Sequence, residues 1–307
     1  MTGISVVIPA YNAARYIGAT LNSVLAQEAT GPVECIVVDD GSQDDTVARV
    51  RAFGPSVTLL EQSNAGPSAA RNRGLAASAH ALVAFIDADD LMHPQRLALQ
   101  AAALQAQPDA VLCHSAVEFI SADGQLVPGQ APPQDDPLLT GEVTARLFKA
   151  NFVSLSSVML RRQPFLDCGA FDEGIRYCED YEAWLRLAQR GRFLHLPQPL
   201  VSYRLHPGQA TQQAARLNVG RIQARELFLQ RCPQAAQALG SALVRETMAR
   251  AALDLGYASL CSGDLAAARW ILRRGLAYVP FSAPLLVTLG KSFLPAALRG
   301  RLGGARA

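Results

Sequence analysis

The decisive stretch of this sequence is an acidic turn that reads FIDADD at residues 85–90. The apolar run 81–86 leads into it and predicts a buried strand. Three carboxylates close together at a strand end repel one another, so they need a cation or hydrogen-bond donors. Carboxylate oxygens suit hard divalent ions such as Mg2+ or Mn2+, which proteins often share with substrate phosphates. The alternative interpretation is an Asp-rich turn that caps a helix beginning near Pro94.

Strand-like and helix-like patterns alternate on both sides of this turn. The alternation predicts an α/β fold, with a largely parallel sheet that helices cover on both faces. The predicted strands before and at the turn cover residues 4–9, 33–38, 57–61 and 81–86. After the turn we predict a helix over 96–106, a strand over 110–120, a mobile loop over 127–139 and a strand over 151–160.

Polar residues follow several of the predicted strands, and parallel strands end at a common edge of the sheet. We therefore expect Tyr11, Asp40, Arg71 and Asp89 to line that edge. Tyr11 can stack on a ring, Asp40 can accept a hydrogen bond from a nucleobase N–H, and Arg71 can pair with phosphate. The alternatives are a helix cap for Asp40 and a solvated helix face for Arg71. No GxGxxG follows the first strand, so a dinucleotide cofactor is unsupported.

Four ordered motifs together resemble family 2 glycosyltransferases. They read VIPAYN (7–12), VVDDGSQDDT (37–46), AGPSAARNRG (65–74) and FIDADD (85–90), and the resemblance covers about residues 3–208. It implies a GT-A fold, which is a Rossmann-like, mixed and mostly parallel sheet between helices. It also implies an inverting, hexosyltransferase-type reaction that uses a nucleotide-sugar donor, UDP-linked or other, and a divalent cation, Mg2+ or Mn2+.

The family pattern assigns roles to individual positions. It places Pro9, Tyr11 and Asp40 around the nucleobase, and Arg71 near the base or the diphosphate. Asp87 and Asp89 match the DxD motif, with Asp87 toward the ribose and Asp89 toward the metal-bound diphosphate. Asp90 is adjacent and would support the same site. The predicted donor-binding residues are therefore Pro9, Tyr11, Asp40, Arg71, Asp87 and Asp89, with Asp89 as the metal ligand.

A second acidic pair, Glu179 and Asp180, stands at the amino end of a helical pattern that includes Trp184 and Leu185. The alternative reading is electrostatic, because acids are favoured at helix starts. In glycosyl transfer a carboxylate near the anomeric carbon must take the proton of the acceptor hydroxyl. The pair resembles the family's ED-containing motif, whose Asp is the usual base. We therefore predict Asp180 as the catalytic base, with Glu179 beside it.

Two histidines follow this helix. His195 lies in a strand-like run and is expected to be structural. His206 lies in YRLHPGQ (203–209), which we interpret as a turn after a strand and which resembles a segment that closes the donor site in relatives. Its imidazole could reach phosphate or metal. The alternative is an ordinary surface turn.

Charge divides the chain into two parts. Half of the 307 residues are hydrophobic and 18% are charged, which excludes a disordered chain. Residues 1–210 carry 15 Lys and Arg against 22 Asp and Glu, whereas residues 211–307 carry 13 against 4. The later part is rich in Ala, Leu and Arg, which favours helices. We therefore predict a glycosyltransferase domain over 1–210 and a basic α-helical C-terminal extension over 211–307.

The C-terminal extension also suggests where the protein is located and what it binds. Residues 281–302 mix apolar clusters with Lys291, Arg299 and Arg301, which fits either a membrane-interface helix or a homodimer contact. The resemblance implies a saccharide or lipid-linked acceptor, hence cell-surface polysaccharide or glycolipid synthesis, and no nucleic acid. The cysteines are scattered without a CxxC motif, there is no room for a signal peptide before Ile4, and no apolar window reaches eighteen residues. These features predict a cytoplasmic protein, and a membrane contact of the C-terminal extension would place it at the inner face of the membrane.

Two other functions remain open at this point. A nucleotidyltransferase would share the sheet, the acidic turn and the metal, but it would release pyrophosphate and prefer a Gly- and Lys/Arg-rich loop after the first strand. A non-catalytic nucleotide-sugar binding module would use the tail as its working part. The presence of Asp40, Asp87, Asp89 and Asp180 together favours an enzyme.

Overall fold

The computed structural model describes residues 2–128, 136, 139–207, 209 and 213–295. Two compact units divide the chain, Met1–Gln209 and Ala210–Ala307. The first contains the sheet and all the predicted site residues, and the second is helical.

Strands and helices alternate in the first unit, as the sequence predicts. In chain order its elements are β1 (Ile4–Ala10), α1 (Ile17–Leu25), β2 (Val33–Asp39), α2 (Thr46–Arg51), β3 (Thr58–Glu61), α3 (Pro67–Ala77), β4 (Leu82–Phe85), β5 (Leu91–Met92), α4 (Arg96–Ala106), β6 (Ala110–Ser121), α5 (Thr144–Lys149), β7 (Met159–Arg161), α6 (Arg162–Asp167), α7 (Glu179–Leu187) and β8 (Arg192–Leu205). The described strands form one sheet in the order β3-β2-β1-β4-β7-β6-β8-β5.

The sheet is mixed, and parallel pairing prevails. Strands β1 to β4 pair only in parallel with one another, and β6 pairs in parallel with β8. Strand β7 runs antiparallel to β4 and β6, and β5 runs antiparallel to β8. The predicted fold class, a Rossmann-like mixed sheet between helices with a helical C-terminal extension, is confirmed.

Parallel register brings the carboxyl ends of the central strands together. Ala10 pairs with Asp39, Asp39 pairs with Glu61, and Val7 pairs with Phe85. The residues that follow these strands therefore share one edge, where the connections to the helices leave a crevice. Tyr11, Asp40 and Asp87 are among them.

Both faces of the sheet are covered by apolar side chains. On one face, α1 and α4 bury Ile17 and Leu97 against the strands. On the other face, α3 lies close to β1 and β2, because Gly74 leaves no room for a side chain: a Cβ there would lie 2.4 Å from Val7 Cγ1. The same face carries a cluster of buried aromatic rings, Phe85, Phe165, Phe171 and Trp184, with centroid separations of 5.0–6.2 Å. This cluster anchors α7 beside α3.

Two local predictions are wrong. Residues 151–160 do not form a continuous strand, since only Met159–Arg161 pairs and Leu155–Ser157 is a 3-10 turn. Short polar side chains compete with strand pairing there: Asn151 Oδ1 accepts the Val153 N–H, and Ser157 Oγ donates to the Ser154 carbonyl. Residues 203–205 belong to β8 and not to a turn. Most of the predicted loop over 127–139 lies outside the described residues.

The second unit consists of helices α8 (Ala214–Arg231), α9 (Pro233–Leu239), α10 (Ser241–Cys261), α11 (Leu265–Tyr278) and α12 (Ala283–Lys291). Asp264 caps α11 by accepting the Ala267 N–H at 2.9 Å. Helices α10 and α11 pack antiparallel at small residues, because a Cβ on Gly275 would lie 2.4 Å from Ala252 Cβ. No helix in the described part of the chain is long and apolar enough to span a membrane.

Candidate active site

Asp40 is held by the loop that precedes α3. Its side chain is buried, Oδ1 accepts the Ala65 N–H at 2.9 Å and the Gln62 side-chain amide at 2.8 Å, and Oδ2 accepts the Gly66 N–H at 2.8 Å. Gly66 adopts φ +94°, a conformation that favours glycine. Asp40 therefore fixes the start of α3. Its Oδ1 is fully used by two donors, whereas Oδ2 accepts only one hydrogen bond and still has a lone pair available for a ligand.

An exposed aromatic ring stands next to Asp40. The Asp40 N–H donates to the Ala10 carbonyl at 2.8 Å, which places Pro9 and Tyr11 directly beside it. Tyr11 is 51% exposed although it follows a buried strand. Asn12 at φ 49° accepts the Gln43 N–H at 2.8 Å and so ties this loop to the loop after β2. The result is a rigid platform with an uncovered ring, which suits stacking.

Arg71 joins the acidic turn to the helix that begins at Glu179. Its side chain is 6% exposed, and its guanidinium donates to Asp87 Oδ1 at 2.9 Å and to Glu179 Oε1 at 2.8 Å. Burial opposes the charge of Arg71, but Asp87 and Glu179 together raise its pKa, so the group stays protonated. The guanidinium also lies over Phe171, 5.6 Å from the ring centroid. Arg71 thus fixes the relative positions of two carboxylates that are remote in sequence.

Asp89 faces His206 across the edge of the sheet. Its Oδ2 lies 2.8 Å from His206 Nε2, and the other ring nitrogen lies 3.0 Å from the Pro207 carbonyl. His206 therefore connects the acidic turn to the segment that follows β8. Burial and the charge of Asp87 raise the pKa of Asp89, while His206 opposes the rise.

Asp90 connects the acidic turn to neighbouring elements. It is almost completely buried, and its Oδ1 accepts the Arg204 N–H at 2.9 Å. Burial, then Asp89 and Asp87, raise the pKa of Asp90 well above its ordinary value. Thr20 donates to the Asp90 carbonyl at 2.8 Å. These contacts give Asp90 a supporting position, in which it attaches the acidic turn to β8 and α1.

Asp180 lies at the start of α7, one residue beyond the Arg71 partner Glu179. Cys178 precedes the helix at φ 61°, and Asp180 Oδ1 accepts the Tyr181 N–H at 2.7 Å. Burial, followed by the neighbouring Glu179, raises the pKa of Asp180 to about 7, although the Tyr181 N–H and Arg71 oppose the rise. A carboxyl group with this pKa can exchange protons near neutral pH.

Two residues at this site escaped the sequence analysis. Arg204 Nε donates to the Asp89 carbonyl at 2.7 Å, and its guanidinium lies 4.9 Å from the centroid of the Tyr16 ring. Tyr16 in turn packs against His206, with centroids 4.8 Å apart. Alternation along the strand puts Arg204 and His206 on the same side, which is the signal that could have identified Arg204.

The family implies a divalent cation, and the residues around Asp89 fit one. Burial and the nearby Asp87 carboxylate raise the pKa of Asp89, and a cation would offset this electrostatic repulsion. Among the described residues no three His, Cys, Asp or Glu side chains are arranged as a complete metal site. A hard cation at Asp89 would therefore complete its coordination with phosphate oxygens and water, as Mg2+ commonly does.

We expect replacement of Arg71 to destabilise the protein strongly. Arg71→Met leaves the partly buried carboxylates of Glu179 and Asp87 without the cation that they share, which should lower the free energy of unfolding by about 3 kcal/mol. Urea denaturation of the variant and of the unmodified protein measures this loss of stability. Arg73→Met is the matched control on the same helix, because Arg73 is exposed and its loss should cost less than about 1 kcal/mol. Equal unfolding midpoints for the two variants would rule out the bridging role.

Comparison with solved structures gives the fold. The Staphylococcus aureus protein TarS (residues 1–349, in complex with UDP-GlcNAc) is similar with a TM-score of 0.61 and 19% identity, over 95% of this chain and 90% of that one. The mannosyltransferase PcManGT from Pyrobaculum calidifontis, in complex with GDP-Man and Mn2+, gives 0.59 and 20% identity over 94% and 86%. The fold is therefore that of GT-A glycosyltransferases.

Sequence comparison gives the family. The model described as glycosyl transferase family 2 matches residues 5–169, more than half of the chain. The chain belongs to this family. Glycosyltransferase AglE of Haloferax volcanii is 28% identical over 72% of this chain and 73% of its own length. An uncharacterized glycosyltransferase of Rickettsia prowazekii is 24% identical over 69% of this chain, and the match spans 66% of that relative. One of Rickettsia conorii is matched over 34% of its length.

Proposed function

We propose that this glycosyltransferase moves a sugar from a nucleoside diphosphate to an acceptor hydroxyl with inversion at the anomeric carbon, and that it depends on a divalent cation. The observation that carries the proposal is the Asp87–Arg71–Glu179 chain of ion pairs, which connects the acidic turn that contains Asp89 to the start of α7. Asp180 lies at that start, and its pKa is about 7. At one end of this chain of ion pairs Asp180 is suited to act as a base, and at the other end Asp89 is suited to bind a cation and phosphate. The complexes of TarS with UDP-GlcNAc and of PcManGT with GDP-Man and Mn2+ support the donor class.

The donor occupies the sheet edge. Tyr11 stacks on the nucleobase, Pro9 lies beside it, and a free lone pair of Asp40 accepts the base N–H. Asp87 uses the oxygen that does not face Arg71 to bind the ribose. Arg71 itself acts mainly through its two carboxylates, because its guanidinium is buried between them.

Transfer requires one proton movement within the protein. The Asp180 carboxylate takes the proton of the acceptor hydroxyl as that oxygen attacks the anomeric carbon, and the bond from this carbon to the diphosphate oxygen breaks. Attack comes from the face opposite the diphosphate, so the configuration inverts. A divalent cation at Asp89, when bound, stabilises the charge that grows on the departing diphosphate. His206 and Asp90 keep Asp89 in place.

The acceptor belongs to cell-surface polysaccharide or glycolipid synthesis in this proposal, as a saccharide or a lipid-linked saccharide. The support is the family, together with a basic C-terminal unit that suits an anionic surface. Catalysis would then take place at the inner face of the membrane.

The rate of transfer should depend on pH through Asp180. The base is active when ionised, so kcat should fall about tenfold per pH unit below its pKa near 7 and level off above it. Glu179→Gln removes a negative charge that raises the pKa of Asp180, so the midpoint should move to lower pH. Asp123→Asn, an exposed acid elsewhere in the unit, is the control and should leave the profile unchanged. A flat profile between pH 6 and pH 8 would remove Asp180 as the base.

A thermal-shift screen tests the proposed function as a whole. Nucleotide sugars carrying different bases and sugars are added with and without Mn2+, because a ligand that binds the folded state raises the unfolding midpoint by mass action. We expect at least one nucleotide sugar to raise the midpoint in the presence of Mn2+ and far less in its absence. If nucleoside triphosphates alone raise it, the nucleotidyltransferase alternative replaces this one.

A further inference from the structure

The segment 281–295, which contains α12, exposes an apolar face. Phe281 is 93% exposed, Val287 58%, Phe293 57% and Leu286 46%. The remaining exposed positions between 281 and 295 are alanine, glycine or proline. Polar side chains of the same segment turn inward, since Thr288 and Ser292 are both buried. We call this surface the α12 face. Its polarity is the reverse of an ordinary surface helix, which marks it as an interaction site.

The inward polar residues are satisfied, so the orientation of the helix is well determined. Thr288 Oγ1 donates to the Pro284 carbonyl at 2.8 Å. Arg269 of α11 donates to the Ser292 carbonyl at 2.7 Å and to Ser292 Oγ at 3.2 Å. Leu285 is buried, and its side chain lies close to Gly275 of α11. A rotation of α12 that hid the exposed rings would break the contacts of Ser292 with Arg269 and of Leu285 with α11.

The helices that carry and adjoin the α12 face are basic. The described residues from Leu265 to Pro295 include four Arg or Lys residues and no Asp or Glu. Arg269 lies over the Phe293 ring, 4.3 Å from its centroid, so one cation directly adjoins an exposed aromatic side chain. Arg273 is exposed one helical turn further along α11. Exposed rings and aliphatic side chains bordered by arginine match what a membrane interface with anionic headgroups requires.

We propose that the α12 face is a peripheral membrane-binding site, which inserts Phe281, Leu286, Val287 and Phe293 into the interface of a bilayer that contains anionic lipid. Apolar burial supplies the depth, and the basic residues supply attraction to the headgroups. A second copy of the chain is the less suitable occupant, because two C-terminal units with 13 basic and 4 acidic residues each would repel one another. The inference does not depend on the proposed sugar transfer.

Vesicle sedimentation of the full chain tests it. The vesicles are phosphatidylcholine with about one third phosphatidylglycerol, or phosphatidylcholine alone, at low salt. We expect retention on the anionic vesicles that decreases with added salt, and little retention on the neutral ones. Phe281→Ser with Val287→Ser should lower the partition coefficient at least about tenfold. Leu25→Ser, an exposed leucine of α1, is the matched control and should leave it unchanged.

A tryptophan variant provides a second test that does not depend on the folding of the serine variant. Phe281→Trp keeps an apolar ring at the most exposed position, and its added emission should shift to the blue with anionic vesicles but not with neutral ones. Failure of the unmodified chain to bind anionic vesicles would overturn the proposal, as would equal binding by the double serine variant. A concentration-dependent dimer that the serine variant abolishes, without vesicle binding, would assign the face to a second copy instead.

Discussion

Asp180→Asn should abolish sugar transfer and leave donor binding intact. An amide cannot take the acceptor proton, so we expect kcat to fall by between about 10^2 and 10^4. Asparagine keeps a side-chain carbonyl oxygen for the Tyr181 N–H, and this retains the local contact at the start of α7. The affinity for the nucleotide sugar should change little, since in our proposal Asp180 faces the acceptor and not the diphosphate.

The decisive comparison is between turnover and donor affinity in the same preparation. Release of nucleoside diphosphate in the presence of acceptor measures the first, and calorimetry with the donor and Mn2+ measures the second. Asp167→Asn, an exposed acid of α6, serves as the control and should behave like the unmodified protein. Turnover within a few-fold of normal in Asp180→Asn would mean that another group accepts the proton.

Asp89→Ala should remove the cation-dependent part of donor binding. Asp89 is the only carboxylate that we assign to the metal, so its loss should weaken donor affinity by more than about 100-fold, beyond the 10- to 100-fold effect of losing a supporting residue. The unmodified protein with the metal removed by a chelator should bind the donor as weakly as the variant does. Added Mn2+ should restore donor binding in the chelator-treated unmodified protein but not in the Asp89→Ala variant.

His206→Ala distinguishes the role of Asp89 as metal ligand from the role of His206, which positions Asp89. His206 lies 2.8 Å from Asp89, so its removal should produce a smaller, intermediate loss. Asp45→Ala, an exposed acid that follows β2, controls for a general loss of negative charge. If Asp89→Ala binds the donor normally in Mn2+, the cation is held elsewhere and the proposed role of the acidic turn is wrong.

The sequence predicted those strands and helices that depend on residues close together in the chain. Runs of β-branched residues at 4–9 and 33–38 became β1 and β2, and apolar periodicity gave α4 at its observed bounds. The strand predicted over 151–160 failed because Asn151 and Ser157 bond their own neighbours. Local hydrogen bonds of this kind override apolar alternation, and they depend on geometry that the alternation does not contain.

The site is only partly visible in the sequence, for a different reason. Asp180, Asp87 and Asp89 stand out by motif, but the ion pairs of Arg71 with Asp87 and Glu179 do not. Arg71 reaches Glu179 across 108 positions of sequence. The elevated pKa of Asp180 depends on its burial in the folded chain and on the neighbouring Glu179, so the local sequence pattern alone does not predict it. Motifs identify candidate groups, whereas the fold sets their charge and spacing.

The most direct test of the account is a crystal structure with Mn2+ and the nucleotide sugar that the thermal-shift screen selects. Anomalous scattering locates the metal without reference to any assumed coordination. We predict a manganese peak within bonding distance of the Asp89 carboxylate, with both phosphates beside it and the anomeric carbon open toward Asp180. A peak away from the acidic turn, or a donor whose anomeric carbon faces away from Asp180, would contradict the account.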